Sequence, residues 1–189
     1  TSSPDSVTVI SSRTRPLPAV IRTAAELDAA LAPARADGVM IGLVPTMGAL
    51  HDGHLSLVKR ARRDCGMVVA SLFVNPTQFG PNEDFSRYPR DEAHDVEMFA
   101  SHDVGIVYAP SVEEMYPDGP EITVRVTGVT EGLCGAVRPG HFDGVTTVVS
   151  RLFAQCRPDA AYFGEKDYQQ LMVIRRMVEM LKLPIRIFG

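Results

Sequence analysis

Residues 42–62 read GLVPTMGALHDGHLSLVKRAR. The stretch opens in the tail of an apolar run, 39–44, which is short enough for a strand buried on both faces. It closes in a segment with Leu55, Leu57, Val58 and Ala61 on one side and Lys59, Arg60, Arg62 and Arg63 on the other, the pattern of an amphipathic helix. Between the two lies a small-residue turn carrying His51 and His54, three apart and on one side of the first helical turn. Histidines so placed suit three roles: zinc ligands, a cradle for phosphates, or caps of the helix. A buried strand feeding a helix through a glycine turn is half of a βαβ unit, so this stretch points to an α/β fold.

The remaining chain repeats the alternation. Thr23 and Glu26 form a T-x-x-E capping box for a helix from 24 to about 36, which Asp37 and Gly38 end. Residues 67–74 form a second buried strand. The loop 75–90 is long and holds three prolines, and loops of that length in a compact domain are usually functional. A helix over 91–102, a strand over 105–108, a helix over 144–155, a strand over 160–163, a helix over 167–183 and a last strand over 185–188 follow. Residues 122–126 alternate as an edge or hairpin strand does. The expectation is a doubly wound, mainly parallel, Rossmann-like sheet over 21–189, preceded by a flexible lead-in over 1–20.

Composition narrows the function. With 189 residues, 45% of them hydrophobic, the chain can bury a core. A net charge of −4 argues against a general nucleic-acid or anionic-membrane binder. Cys65, Cys134 and Cys156 are isolated, with no CxxC pair, so neither a zinc knuckle nor a disulfide framework is indicated. No apolar run approaches the length of a membrane span, and the Ser/Pro-rich start lacks the apolar core of a signal peptide; a cytoplasmic protein is expected.

In a doubly wound sheet, ligands bind beyond the carboxyl ends of the strands, where residues 45–53 fall. Gly48 and Gly53 let the backbone approach a ligand there, and the amides of a helix start favour an anion. Donating imidazoles at His51 and His54 suit a triphosphate, stabilising charge at its α-phosphate and on departing pyrophosphate. Zinc is the weaker reading: H-D-G-H is one residue short of H-E-x-x-H, and no cluster elsewhere offers a third ligand.

P-T-M-G-A-L-H-D-G-H at 45–54, F-V-N-P-T-Q-F at 73–79, Y-P-R at 88–90, M-Y-P at 115–117, R-P-G-H-F-D-G-V at 138–145 and F-G-E-K-D-Y-Q-Q-L at 163–171 occur in that order. H-x-G-H alone resembles the whole nucleotidyltransferase-like superfamily. The full series resembles the pantothenate synthetase (pantoate–β-alanine ligase) family, over about residues 39–183. The resemblance implies a two-step ligation: ATP adenylates the carboxylate of pantoate with loss of pyrophosphate, and the amine of β-alanine then displaces AMP. It implies catalytic roles for His51, His54 and Lys166, with Lys166 on the phosphates, and Asp167 with the Gly164 backbone on the ribose. Pro45, Met47 and Gly53 complete the ATP set.

Pantoate carries hydroxyls, a carboxylate and a gem-dimethyl carbon, so its site needs amides and an apolar wall. Gln78 and Gln170 fit as the amides; Pro45, Met47, Val148 and Val149 fit as wall. Asn75 lies beside Gln78 at the ligand edge, and Tyr88 is a candidate gate. Arg138 and His141 approach either the substrate or a subunit contact. ATP brings Mg²⁺, for which Asp95 is the candidate carboxylate; Glu165 is expected to be exposed, and no tightly bound cofactor is expected. The other readings are an adenylyltransferase acting on a phosphate, which would want Arg or Lys where Gln78 and Gln170 stand, and a non-catalytic nucleotide-binding or dimerisation module. The family continues with a serine–arginine loop and a C-terminal lid domain, neither within 1–189. This chain is therefore expected to be the N-terminal domain, with weak binding and slow or no turnover, and the family implies a homodimer.

Overall fold

The computed structural model describes residues 17–79, 83–117, 119, 123–126, 141–164 and 168–189, with His141 and Phe142 described for their backbone only. Among the described residues, six parallel strands form one sheet in the order β1-β4-β3-β2-β5-β6. They are β1 (Ala19–Ile21), β2 (Ile41–Thr46), β3 (Met67–Leu72), β4 (Ile106–Tyr108), β5 (Ala160–Tyr162) and β6 (Arg186–Phe188). The helices are α1 (Ala24–Ala36), α2 (Asp52–Asp64), α3 (Glu92–Ala100), α4 (Val112–Met115), α5 (His141–Cys156) and α6 (Tyr168–Met180).

Alternation along the central strands divides the core in two. Ile41, Leu43, Val69 and Ile106 point to one face, under Leu27 and Leu31 of α1, Leu152 of α5 and Ile174 of α6. Val44, Val68, Ala70 and Val107 point to the other, under Val58 and Ala61 of α2 and Phe99 of α3. Burial on both faces explains why these strands read as continuous apolar runs rather than alternating ones. β2 lies between β3 and β5, so the strand order reverses beside it. That reversal opens a crevice past the carboxyl end of β2, and the turn to His51 lies there.

The turn itself is shaped by backbone constraints. Gly48 has φ +84° and Ala49 φ +50°. A Cβ on Gly48 would come within 2.9 Å of Asp95 Oδ2 and 3.1 Å of Leu72 Cδ1. Asp95, on α3, is buried, and its carboxylate faces the backbone N–H groups of Leu50 and Ala49. Burial raises its pKa above the ordinary carboxylate value, and those amides partly offset the shift. α3 therefore braces the turn that launches α2.

Several local expectations shift. Ala19 and Val20 belong to β1, inside the expected lead-in of 1–20, because pairing with β4 orders them; residues 1–16 lie outside the described residues. Residues 123–126 are not a strand, and Ile122 lies outside the described residues. The Val124 N–H donates to Thr147 Oγ1 at 2.9 Å, and the Thr146 hydroxyl donates to the Val124 carbonyl. Side chains of α5 thus take the groups that a neighbouring strand would need. The 75–90 loop contains two single-turn 3-10 helices, Pro76–Gln78 and Phe85–Arg87. Arg60, expected outside, is half-buried with its guanidinium 4.8 Å from the Phe188 ring centroid.

The turn yields a prediction with an internal control. Gly38 also has a positive φ, but an added Cβ there meets nothing within 4 Å. Gly38→Ala is expected to cost about 1 kcal/mol, from the left-handed backbone alone. Gly48→Ala is expected to cost about 2–3 kcal/mol, because the clash with Asp95 adds to the backbone term. Urea unfolding of both variants checks this, and equal losses would contradict the bracing of the turn by α3.

Candidate active site

His51 is the N-cap of α2, in an extended conformation at φ −134°. Its Nδ1 accepts the Gly53 N–H at 3.0 Å, while His54 Nδ1 accepts the His51 N–H at 3.2 Å. The two rings therefore cap the helix reciprocally, as Ser and Glu do in an ordinary capping box. This arrangement fixes their tautomers: a neutral imidazole accepting at Nδ1 carries its proton on Nε2. Both rings then hold Nε2–H as the remaining donor. The ring centroids are 4.1 Å apart. Burial, followed by the charge of His51, lowers the His54 pKa below the usual imidazole value. Capping and donation to a ligand are compatible, since one nitrogen does each. Gly53 is required for the cap, because a Cβ there would sit 2.8 Å from His51 Cε1.

Two cavities meet at this helix start. The larger, about 540 Å³, is lined by His51, Gly53, His54, Ser56, Leu57, Arg60, Gly164 and Gly189 among others. The smaller, about 190 Å³, is lined by Met47, Asn75, Gln78, Tyr88, Val148 and Val149 among others. Pro45, His54, Phe163 and Gln170 line both. His54 thus stands on the shared wall, with the larger space on one side and the smaller on the other.

The smaller cavity rests on a hydrogen-bond node at Asn75. Its Nδ2 donates to Gln78 Oε1 and to the Gly144 carbonyl, each at 3.1 Å. Its Oδ1 accepts from the Thr77 N–H at 3.3 Å, the Thr77 hydroxyl at 2.9 Å and the Tyr116 hydroxyl at 2.9 Å. All of the Asn75 amide is used within the protein, so Asn75 shapes the site without a free group for a ligand. Gln78 Oε1 takes one of those donors, which fixes the amide and leaves its Nε2 and a second lone pair for the cavity. Arg151 stacks on Tyr116, 5.0 Å from the ring centroid, and holds the far side of the node.

The structure brings together His51, His54, Pro45, Met47, Gly53, Gly164, Gln78, Gln170, Tyr88, Val148 and Val149 around these two spaces. Tyr88 packs edge-on against Phe79 at 5.9 Å, and burial raises its pKa. Asp95 is not with them. It lines a separate cavity of about 260 Å³, and its carboxylate is turned toward backbone amides. Among the described residues, no group of three His, Cys, Asp or Glu side chains could hold a metal ion. Glu165, Lys166, Asp167, Arg138 and Cys134, and the side chain of His141, lie outside the described residues. Cys65 and Cys156 are buried thiols, and burial pushes Cys156 up to about 12, which keeps it unreactive.

Sequence reasoning missed several lining residues, chiefly Ser71, Phe73, Phe163 and Arg60. A signal existed for Ser71, the one hydroxyl in the apolar run MVVASLFV. For Arg60 there was none, since its pattern is that of a solvated helix face. No helix among the described residues is long and apolar enough to cross a membrane.

The pantothenate synthetase of Paramagnetospirillum magneticum is 58% identical over 170 residues, covering 90% of this chain and 60% of that protein. That of Moorella thermoacetica is 60% identical over 168 residues, covering 89% and 59%. The crystal structure of pantothenate synthetase from Thermus thermophilus superposes with a TM-score of 0.83 at 54% identity, covering 90% of this chain and 61% of that one. A pantoate–β-alanine ligase from Francisella tularensis, described as complexed with β,γ-ATP and β-alanine, gives 0.85 at 38% identity, covering 91% and 66%. The chain thus spans about 60% of the length of the curated relatives it matches. The family model described as pantoate-beta-alanine ligase matches residues 19–189, and the chain belongs to that family.

Proposed function

We propose that this chain carries the nucleotide and pantoate sites of an ATP-dependent ligase that joins pantoate to β-alanine. The observation that carries the reading is the wall shared by the two cavities, on which His54 and Gln170 both stand. ATP occupies the larger cavity with its phosphates at the start of α2. Pantoate occupies the smaller one with its carboxylate toward that wall. Two anionic reactants held on either side of a helix N-terminus gain orientation and charge stabilisation together.

The chemistry follows from that placement. A pantoate carboxylate oxygen attacks the α-phosphorus, the bond to the β-phosphate breaks, and pyrophosphate leaves. His51 and His54 donate Nε2–H to the phosphoryl oxygens as charge develops. Capping holds the rings in place beforehand, so little reorganisation accompanies the step. The amine of β-alanine then attacks the carbonyl carbon of the mixed anhydride; the amide forms, AMP departs with the former carboxylate oxygen, and the amine loses its proton. Lys166, Asp167 and the Gly164 backbone complete the nucleotide contacts in this reading. Mg²⁺ arriving with ATP would be held through the phosphate oxygens and would supply positive charge there, in keeping with its habit of binding through substrate oxygens.

The adenylyltransferase alternative fits less well: among the described residues lining the smaller cavity there is no Arg or Lys to meet a phosphate acceptor. A cytoplasmic homodimer completes the proposal, and sedimentation at twice the chain mass of 20.6 kDa tests the dimer.

The test of the function is separate calorimetric titration of ATP and pantoate, followed by assay of pyrophosphate release. Release that depends on pantoate supports the ligase, and ATP binding blind to pantoate opposes it. In a protein of the relatives' full length, His54→Ala is expected to slow adenylate formation by about 10²–10³-fold with little change in pantoate affinity. Gln170→Ala is expected instead to raise the pantoate requirement by about tenfold, and unchanged pantoate affinity would remove Gln170 from the site.

The lowered His54 pKa also gives a signed pH effect. The unfolded imidazole binds a proton near pH 6.5, before the folded one does. Stability linked to His54 is therefore complete above that value and is lost as pH falls through the lower folded pKa. Protonating Nδ1 also breaks the bond from the His51 N–H. Thermal melts from pH 7.5 to 5 are expected to show a steeper acid loss in the parent than in His54→Gln, and parallel curves would contradict the capping tautomer.

A further inference from the structure

Ser71 stands in β3 on the same face as Val69 and Phe73, both of which belong to the core cluster that includes Val148 and Leu152 of α5. It is 1% exposed. Its carbonyl accepts from Thr46 Oγ1 at 2.8 Å, but its hydroxyl has no partner. Among the described residues, Ser71 Oγ is the one buried side-chain nitrogen or oxygen left without a hydrogen bond. An alanine or valine would fill a central parallel strand without leaving a buried polar atom unpaired. Ser71 also lines the smaller cavity, between the β2 end and α5.

We infer that Ser71 Oγ is a hydrogen-bonding group for the hydroxy acid held in the smaller cavity, and that it takes the hydroxyl at the end remote from the reacting carboxylate. This rests on the reading of that cavity as the pantoate site. The carboxylate must face the shared wall at His54 to reach a nucleotide, so the opposite end of the molecule reaches the rest of the lining, Ser71 included. An alcohol both donates and accepts. Gln78 offers its N–H to it, its oxygen already accepting one bond from Asn75. Ser71 Oγ, buried and without a partner in the protein, supplies an acceptor for the alcohol proton. A site with such a group selects the hydroxylated acid, because an analogue without the hydroxyl leaves the serine unpaired.

The test is calorimetric titration of parent and Ser71→Ala chains with pantoate and with the analogue bearing a methyl in place of the terminal hydroxyl, alongside thermal melts without ligand. Ser71→Ala is expected to weaken pantoate about fivefold to twentyfold and the analogue less than about twofold. The ligand-free variant is expected to melt at or above the parent temperature, because a hydroxyl without a partner contributes nothing to the empty fold. Equal weakening of both acids, or a lowered melting temperature, overturns the inference while leaving the pantoate site intact. Failure of the parent to bind pantoate at all overturns the cavity reading and this inference with it.

Discussion

The reciprocal cap between His51 and His54 is the interaction on which the site depends. Each ring spends Nδ1 on a backbone N–H of its own helix start and is left with Nε2–H as a donor. One constraint thus does three things: it terminates α2, selects the tautomer, and aims two neutral donors past the end of β2. Serine at the cap would satisfy the backbone equally well but offer no second nitrogen. The cap in turn depends on Gly53, whose missing Cβ leaves room for the His51 ring, and on the left-handed turn at Gly48 that Asp95 braces from α3.

Fold class was legible because the central strands are buried on both faces. Their unbroken apolar runs, each followed by a helix of 3.6-residue period, admit little besides a parallel α/β sheet. The three-residue strands β4, β5 and β6 were legible too, but β1 and the stretch 123–126 were not. β1 is three residues long, and its strand character comes from pairing with β4 rather than from Ala19, Val20 and Ile21 themselves. Residues 123–126 have the alternation of a strand, but Thr146 and Thr147 reach across from α5 and take the backbone groups of Val124. Pattern reports which side chains could face a core; it is silent on which partner a backbone finds.

The same distinction divides the site. That His51, His54, Gln78 and Gln170 gather at one crevice could be expected because their motifs are contiguous and fall at the ligand edge of the sheet. The roles of Asn75 and Asp95 depend on neighbours distant in sequence. Asn75 is saturated by Gly144 and Tyr116 along with its local partners, and Asp95 is drawn to the 49–50 amides by the packing of α3. Arg60 sits on what reads as a solvated face, yet it stacks on Phe188 and donates to the Gly189 carbonyl at 2.8 Å.

These parts form one arrangement: a switch point in the sheet opens the crevice, a doubly capped helix start supplies neutral donors, and the Asn75 node presents the Gln78 amide to a small apolar-walled space. Its central claim is that an acid in that space meets the α-phosphate of a nucleotide across His54. Turnover of pantoate labelled with heavy oxygen in its carboxylate tests this most directly. The account predicts one labelled oxygen in the phosphate of each AMP released and none in pyrophosphate; unlabelled AMP would contradict it.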